Sequence, residues 1–229
     1  MEFGYWGIKG VAEPIRWLIA HLGLAVKEWN PANPEEWGTR KATTGPFPNL
    51  PFFFDGDFAL TESGAIPVYL IHKAGKTDLL GKTLQDQARV RQIEGVLADI
   101  RQSFFKVLFA PGDHKENIGK AIEAGSAIAN KVDQLAAFLG DKPFFLGYLT
   151  WADFQFAYLS QMAGAVAHSL GLKCPVAAHE NLRNLIKGVV ALPGVAERFN
   201  ASKPVPFMPP TMMPFPVHTI AEIEAAHQH

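Results

Sequence analysis

Tyr5 stands at the end of a short aromatic run, Phe3 to Trp6, directly before a turn region from Gly7 to Gly10. A phenol has an unperturbed pKa of ~10 and is a hydrogen-bond donor at neutral pH, which is what a bound thiolate requires of its partner. A strand tyrosine is core more often than catalytic, so its neighbours decide. In Phe47-Pro48-Asn49-Leu50-Pro51 a proline opens a strand. It is either an ordinary edge device or a cis turn that exposes backbone groups, and only about one X-Pro bond in twenty is cis. Ser63 comes at or near the cap of the next helix. A cap hydroxyl and the amides behind it can receive a carboxylate, with the helix dipole adding roughly 0.3 to 1 kcal/mol.

The rest of the chain narrows the chemistry. With 229 residues, 48% hydrophobic and 19% charged, it has apolar material for a large core. Its 21 basic and 22 acidic residues form no long run of either sign, so no electrostatic grip on nucleic acid or anionic lipid is expected. One cysteine, Cys174, leaves no intramolecular disulfide and no CxxC redox or zinc motif. The eight histidines are scattered, His227-Gln228-His229 reads as a solvated tail, and no metal is expected. The N-terminus has no apolar signal region, and no stretch nears the roughly 18 apolar residues of a membrane span, so a soluble, cytoplasmic protein is expected. Asn200-Ala201-Ser202 matches a glycosylation acceptor by chance.

The elements that must hold these residues change quickly at first. Phe3–Trp6 predicts a strand, and Ile15, Leu18, Ile19 and Leu22 have helical spacing, with Glu13-Pro14 in the first turn and Gly23 as the stop. Ala25–Trp29 suits a second strand, and Asn30 to Pro46 reads as a long surface loop. Leu50–Phe54 and Phe58–Leu60, joined by Asp55-Gly56-Asp57, predict a hairpin, followed by a helix from about Thr61–Ser63 to Gly75. The order is β-α-β, loop, β-β-α. Gly75 to Thr83 lacks apolar periodicity and is the expected linker.

Beyond it the pattern is all-helical, through Val90, Ile93, Leu97, Ile100 and Phe104, then Ile118, Ile122, Ile128, Val132, Leu135 and Leu139. A tail with six prolines, Lys203 to Pro216, precedes a short acidic helix, Thr219 to Ala226.

Gly4-Tyr5-Trp6-Gly7-Ile8-Lys9-Gly10, Phe47-Pro48-Asn49-Leu50-Pro51 and Thr61-Glu62-Ser63-Gly64-Ala65-Ile66 together resemble the cytosolic glutathione transferases, with the mu class as the nearest match. The likeness continues in Thr150-Trp151-Ala152-Asp153, physically a capping box with Asp in place of Glu. It spans roughly residues 3 to 200.

The resemblance implies an α/β thioredoxin-like N-terminal domain over 1–76 and an all-α C-terminal helical domain over 84–229 that contributes the electrophile site. It implies glutathione as co-substrate, a hydrophobic xenobiotic electrophile and a homodimer. Residue by residue, Tyr5 resembles the tyrosine whose hydroxyl donates to the glutathione sulfur. Trp6, Asn49 and Leu50 resemble glutathione contacts, Leu50 through its backbone, with Pro51 as a cis-proline. Glu62 and Ser63 resemble the pair at the γ-glutamyl end.

Trp37 and Lys41 resemble the loop residues at the glycyl carboxylate, with Arg40 as the alternative, since the spacing from Lys41 to Asn49 is one residue shorter than the mu pattern. Asp99, five residues after Glu94, resembles the acid that crosses to the partner's glutathione amine, and Phe47 the aromatic key of the dimer. Ile8, Phe104, Leu108 and Phe109 are the expected electrophile wall. Two positions depart from the mu pattern. Glu62 replaces a glutamine, and Phe109 replaces a second tyrosine that assists some electrophiles.

One hydroxyl suffices on energetic grounds. Lowering a thiol from a pKa of ~8.5 by about two units takes ~2.7 kcal/mol. A hydrogen bond to a charged group supplies roughly 1.5 to 3 kcal/mol. Two rivals share the shell: a glutathione-dependent isomerase of the sigma, prostaglandin-converting type, and a non-catalytic binding or structural relative.

Overall fold

The computed structural model describes residues 1–201 and 206–207, which divide into two units: 1–77 with 193–201 and 206–207, and 78–192. The first is built on a four-stranded sheet in the order β2-β1-β3-β4. β1 (Glu2–Gly4) runs parallel to β2 (Lys27–Trp29) and antiparallel to β3 (Phe52–Asp55), which pairs antiparallel with β4 (Phe58–Thr61). Asp55 pairs with Phe58, so Gly56-Asp57 is a two-residue turn, and Gly56 supplies the positive φ of 58° that such turns require. Phe3, Phe52, Ile15, Leu18, Ile66 and Leu70 are buried in this unit.

α1 (Glu13–His21) follows a 3-10 turn at Gly10–Ala12, with Pro14 in its first turn and Gly23 beyond its end at φ 63°. The loop expected from Asn30 to Pro46 instead contains α2 (Pro34–Lys41). Asn33 caps it by accepting from Glu36 N at 2.8 Å, Glu35 and Glu36 sit in its first turn, and Arg40 and Lys41 in its last. None of its residues is buried, so it carries no apolar periodicity to read. α3 (Ala65–Lys73) starts later than expected, because Thr61 ends β4 and Gly64 occupies the cap position.

The second unit is helical, as expected, with α4 (Leu84–Leu108), α5 (His114–Ile122), α6 (Ala127–Leu139), α7 (Trp151–Ser169) and α8 (Glu180–Val190), plus 3-10 turns at Thr77–Leu80 and Pro175–Ala178. Thr83, Asp113 and Ser126 each cap a helix through a side-chain oxygen. The apolar positions named on α4, α5 and α6 are all buried.

α7 is buried on nearly every side, which fits its weak amphipathic pattern, and it begins with the expected box. Asp153 Oδ2 accepts from Thr150 N at 2.7 Å and Oδ1 from Phe145 N at 3.0 Å. Burial pushes the Asp153 carboxyl up to about 6 against those hydrogen bonds. No helix among the described residues is long and apolar enough to cross a membrane.

The chain then returns to the first unit through α9 (Val195–Ala201) and Pro206-Phe207, so these residues leave the 84–229 span expected for the helical domain. The return pairs with the turn after β1: Lys9 N donates to Pro206 O at 2.8 Å and Gly10 N to Phe207 O at 2.9 Å. The remainder of the proline-rich tail and the helix expected over Thr219–Ala226 lie outside the described residues.

Candidate functional site

Tyr5 lies one residue beyond β1 and extends its pairing, with its amide donating to Trp29 O at 3.1 Å. The side chain is 9% exposed. Val11 N donates to the phenol oxygen at 3.4 Å, so the hydroxyl's own proton is left for another acceptor. Burial pushes the phenol pKa above its usual value, while the Val11 amide and the Arg16 guanidinium pull it back. The group is therefore protonated at neutral pH. Space for it depends on Gly10, whose φ is 45° and whose position leaves no room for a side chain.

The turn carrying Trp6 and Ile8 is tied down from below. Arg16 Nη1 donates to Ile8 O at 2.8 Å and Arg16 Nη2 to Trp6 O at 3.3 Å. No motif in the sequence gives Arg16, Gly10 or Val11 a role of its own. The available signal was a charged residue inside the apolar face formed by Ile15, Leu18 and Ile19.

Further along the sheet, the Leu50-Pro51 bond is cis. Asn49 links the two segments beside it: its Oδ1 accepts from Leu50 N at 2.9 Å and its Nδ2 donates to Glu62 Oε1 at 3.0 Å. Glu62 holds a φ of 76°, in the left-handed region that side chains avoid. Its carbonyl accepts from Ala65 N and Ile66 N, both at 3.1 Å. Ser63 is not the cap of α3, since Gly64 takes that place without a side-chain bond. Asn49, Leu50, Glu62 and Ser63 are thus brought together.

On α2, Trp37 stacks on Phe52 with ring centroids 6.3 Å apart. Arg40 pairs with Glu2 at 2.6 Å and lies over the rings of Trp29, Phe52 and Phe54 at 4.7 to 5.6 Å. Its guanidinium is spent on the sheet. Lys41, next to it, is exposed. Phe47 is 74% exposed, and its carbonyl accepts from Thr61 Oγ1 at 2.8 Å.

In the helical unit, Phe104 and Leu108 turn into that unit's own core, where Phe104 lines a small apolar cavity with Leu97, Ile100, Phe156 and Cys174. Phe109 is half-exposed, with Phe105 beside it at a ring distance of 5.9 Å. Phe105 is one position out of phase with Phe104 on the helix and so falls outside the apolar spacing that marks the core face. Asp99 pairs with Lys131 at 2.7 Å in its own unit. Burial pushes the Cys174 thiol up to about 11, so it is no nucleophile at neutral pH. Among the described residues no group of three His, Cys, Asp or Glu side chains is arranged to hold a metal ion.

Family models described as "Glutathione S-transferase, N-terminal domain" and "Glutathione S-transferase, C-terminal domain" match residues 1–72 and 98–201. A glutathione S-transferase of Tyrophagus putrescentiae is 31% identical over 90% of this chain and 93% of its own length. Glutathione S-transferase Mu 1 of Oryctolagus cuniculus is 34% identical over 67% of this chain and 72% of its own. Among solved structures, the glutathione S-transferase Blo t 8 aligns with a TM-score of 0.75 at 30% identity, over 87% of this chain and 92% of that one.

Proposed function

The chain belongs to the glutathione S-transferase family, and from that premise we propose that it conjugates glutathione to small hydrophobic electrophiles, with the Tyr5 hydroxyl holding the sulfur as a thiolate. The observation that carries this reading is the hydrogen bond from Val11 N to the Tyr5 oxygen. An amide donating to that oxygen both leaves the O–H proton unspent and makes it a better donor. Burial keeps the proton on the phenol. The thiolate attacks an electrophilic carbon, a carbon–sulfur bond forms, and a halide departs with the bonding pair.

The glutathione shell is assigned to Trp6, Asn49, Leu50, Pro51, Glu62 and Ser63, with Trp37 and Lys41 at the glycyl end. Lys41 is preferred to Arg40 because Arg40 is committed to Glu2 and three aromatic rings. Glu62 meets the γ-glutamyl amine and Ser63 its carboxylate. Ser63 is suited to this because its hydroxyl is not used in capping α3. Phe109, the residue that ends α4, is the assigned apolar surface there, with Phe105 joining it in place of the buried Phe104 and Leu108. The working form is a cytoplasmic homodimer keyed by Phe47, and Asp99 must leave Lys131 if it is to reach a partner's substrate.

Tyr5→Phe tests the hydroxyl directly, using a chlorodinitrobenzene as electrophile across a pH series. Loss of a bond to a charged group predicts a fall of roughly ten- to hundredfold in kcat/KM at mildly acidic pH, closing above a pH of about 9 where the free thiol ionises unaided. Unchanged turnover at mildly acidic pH discards the role.

A further inference from the structure

Four charged side chains close a ring behind the turn that follows Tyr5. Glu13 gives Oε2 to Arg16 Nη1 at 3.2 Å and Oε1 to Arg198 Nε at 3.3 Å. Glu28 gives Oε2 to Arg16 Nε at 3.0 Å and Oε1 to Arg198 Nη1 at 2.7 Å. Each carboxylate bridges both guanidiniums, and the two positive and two negative charges cancel. Glu13 and Arg16 are 8% and 4% exposed, so neither has water to compensate a missing partner.

The ring reaches the Tyr5 turn through Arg16. Arg16, having met both acids, still donates to the carbonyls of Trp6 and Ile8, and its guanidinium carbon lies 5.9 Å from the Tyr5 ring centre. Arg198 arrives from α9, 185 residues beyond Glu13. The same return segment pairs its backbone with Lys9 and Gly10, and Lys9 Nζ lies 4.2 Å from the Phe207 ring. The charged groups of this turn and of the ring behind it are Lys9 from the turn, Glu13 and Arg16 from α1, Glu28 from β2 and Arg198 from α9, and of these Arg16 is the one that meets the Tyr5 ring.

We propose that Arg198 is a positioning residue for the thiolate: by neutralising Glu13 and Glu28 it leaves the Arg16 charge and its two carbonyl bonds directed at the Tyr5 turn. Without it, one guanidinium serves two carboxylates and the ring carries a net negative charge beside the site. With Glu28 neutralised instead, the ring is net positive. The inference rests on the role proposed for Tyr5.

The test reads the pKa of enzyme-bound glutathione from the ultraviolet absorption of its thiolate, in wild type, Arg198→Gln and Glu28→Gln. A change of one unit in the charge of the ring behind the Tyr5 turn predicts a rise of about one pH unit in Arg198→Gln and a fall of similar size in Glu28→Gln. A purely structural brace would move both variants in the same direction, and such a result overturns the inference, as does an unmoved Arg198→Gln. Should Arg198→Gln fail to fold, Glu28→Gln decides alone: no fall overturns the proposal. A wild type that leaves the bound thiol at its free value overturns the Tyr5 reading and this inference together. A wild type that depresses it while both variants match it overturns this inference only.

Discussion

A Cβ added to Gly10 would lie 2.5 Å from the Tyr5 hydroxyl oxygen, well inside any real contact, and the backbone there has a φ of 45°. The glycine is the floor on which the phenol rests. Gly10→Ala therefore displaces the hydroxyl from Val11 N while leaving Asn49, Glu62 and Ser63 untouched. The expected outcome is a loss of about tenfold or more in kcat/KM with glutathione affinity nearly unchanged. Steady-state kinetics beside a binding isotherm checks it, and an equal loss in affinity would contradict it.

Much of the fold was legible because its signals are local. Gly56 marks the hairpin by its φ, Gly23 marks the end of α1, and Thr150 and Asp153 mark the start of a helix that is buried on almost every side. α2 was missed because it buries nothing, so only Asn33 and Pro34 announce it, and both are equally at home in a loop. The phase of α4 was half-read. Spacing puts Phe104 on the buried face of the helix, yet the resemblance also places it in the electrophile wall, and nothing local says that Phe105 belongs with Phe109. Arg198 was out of reach of any local pattern, since its partners lie 170 and 185 residues away.

Arg40 and Lys41 are adjacent yet differently placed, and their replacements should separate. Arg40→Ala removes the pair with Glu2 and the contacts over Trp29 and Phe52, so it lowers stability by about 1 kcal/mol with the KM for glutathione unchanged. Lys41→Ala leaves the melting temperature alone and raises that KM severalfold. The reverse pattern in thermal melts and kinetics would reassign the glycyl contact to Arg40.

Glu62 and Asn49 share a hydrogen bond at 3.0 Å that a glutamine at position 62 can also accept. Glu62→Gln thus keeps the shape of the site and removes one negative charge. If the carboxylate meets the substrate's α-amine, the KM for glutathione rises severalfold and kcat holds, since that contact is the same in the ground and transition states. A lower KM would mean that the charge opposes the neighbouring carboxylate instead.

Asp153 makes a prediction about stability rather than turnover. Its pKa is about 6 in the folded chain, against ~3.9 for an unfolded aspartate. Between those values the folded state binds more protons than the unfolded one. The favourable contribution is complete below a pH of about 4 and is lost as pH rises through 6, a change on the order of 3 kcal/mol.

Asp153→Asn cannot ionise and so escapes this slope, but it forfeits acceptor capacity for Thr150 N and Phe145 N, at a cost of roughly 1 to 3 kcal/mol. Other carboxylates titrate alike in both proteins and cancel in the difference. Denaturant melts across the acidic range should show the deficit of Asp153→Asn largest near a pH of about 4 and shrinking toward neutrality. A deficit that grows with pH would mean that the two backbone amides outweigh burial and hold the carboxylate ionised.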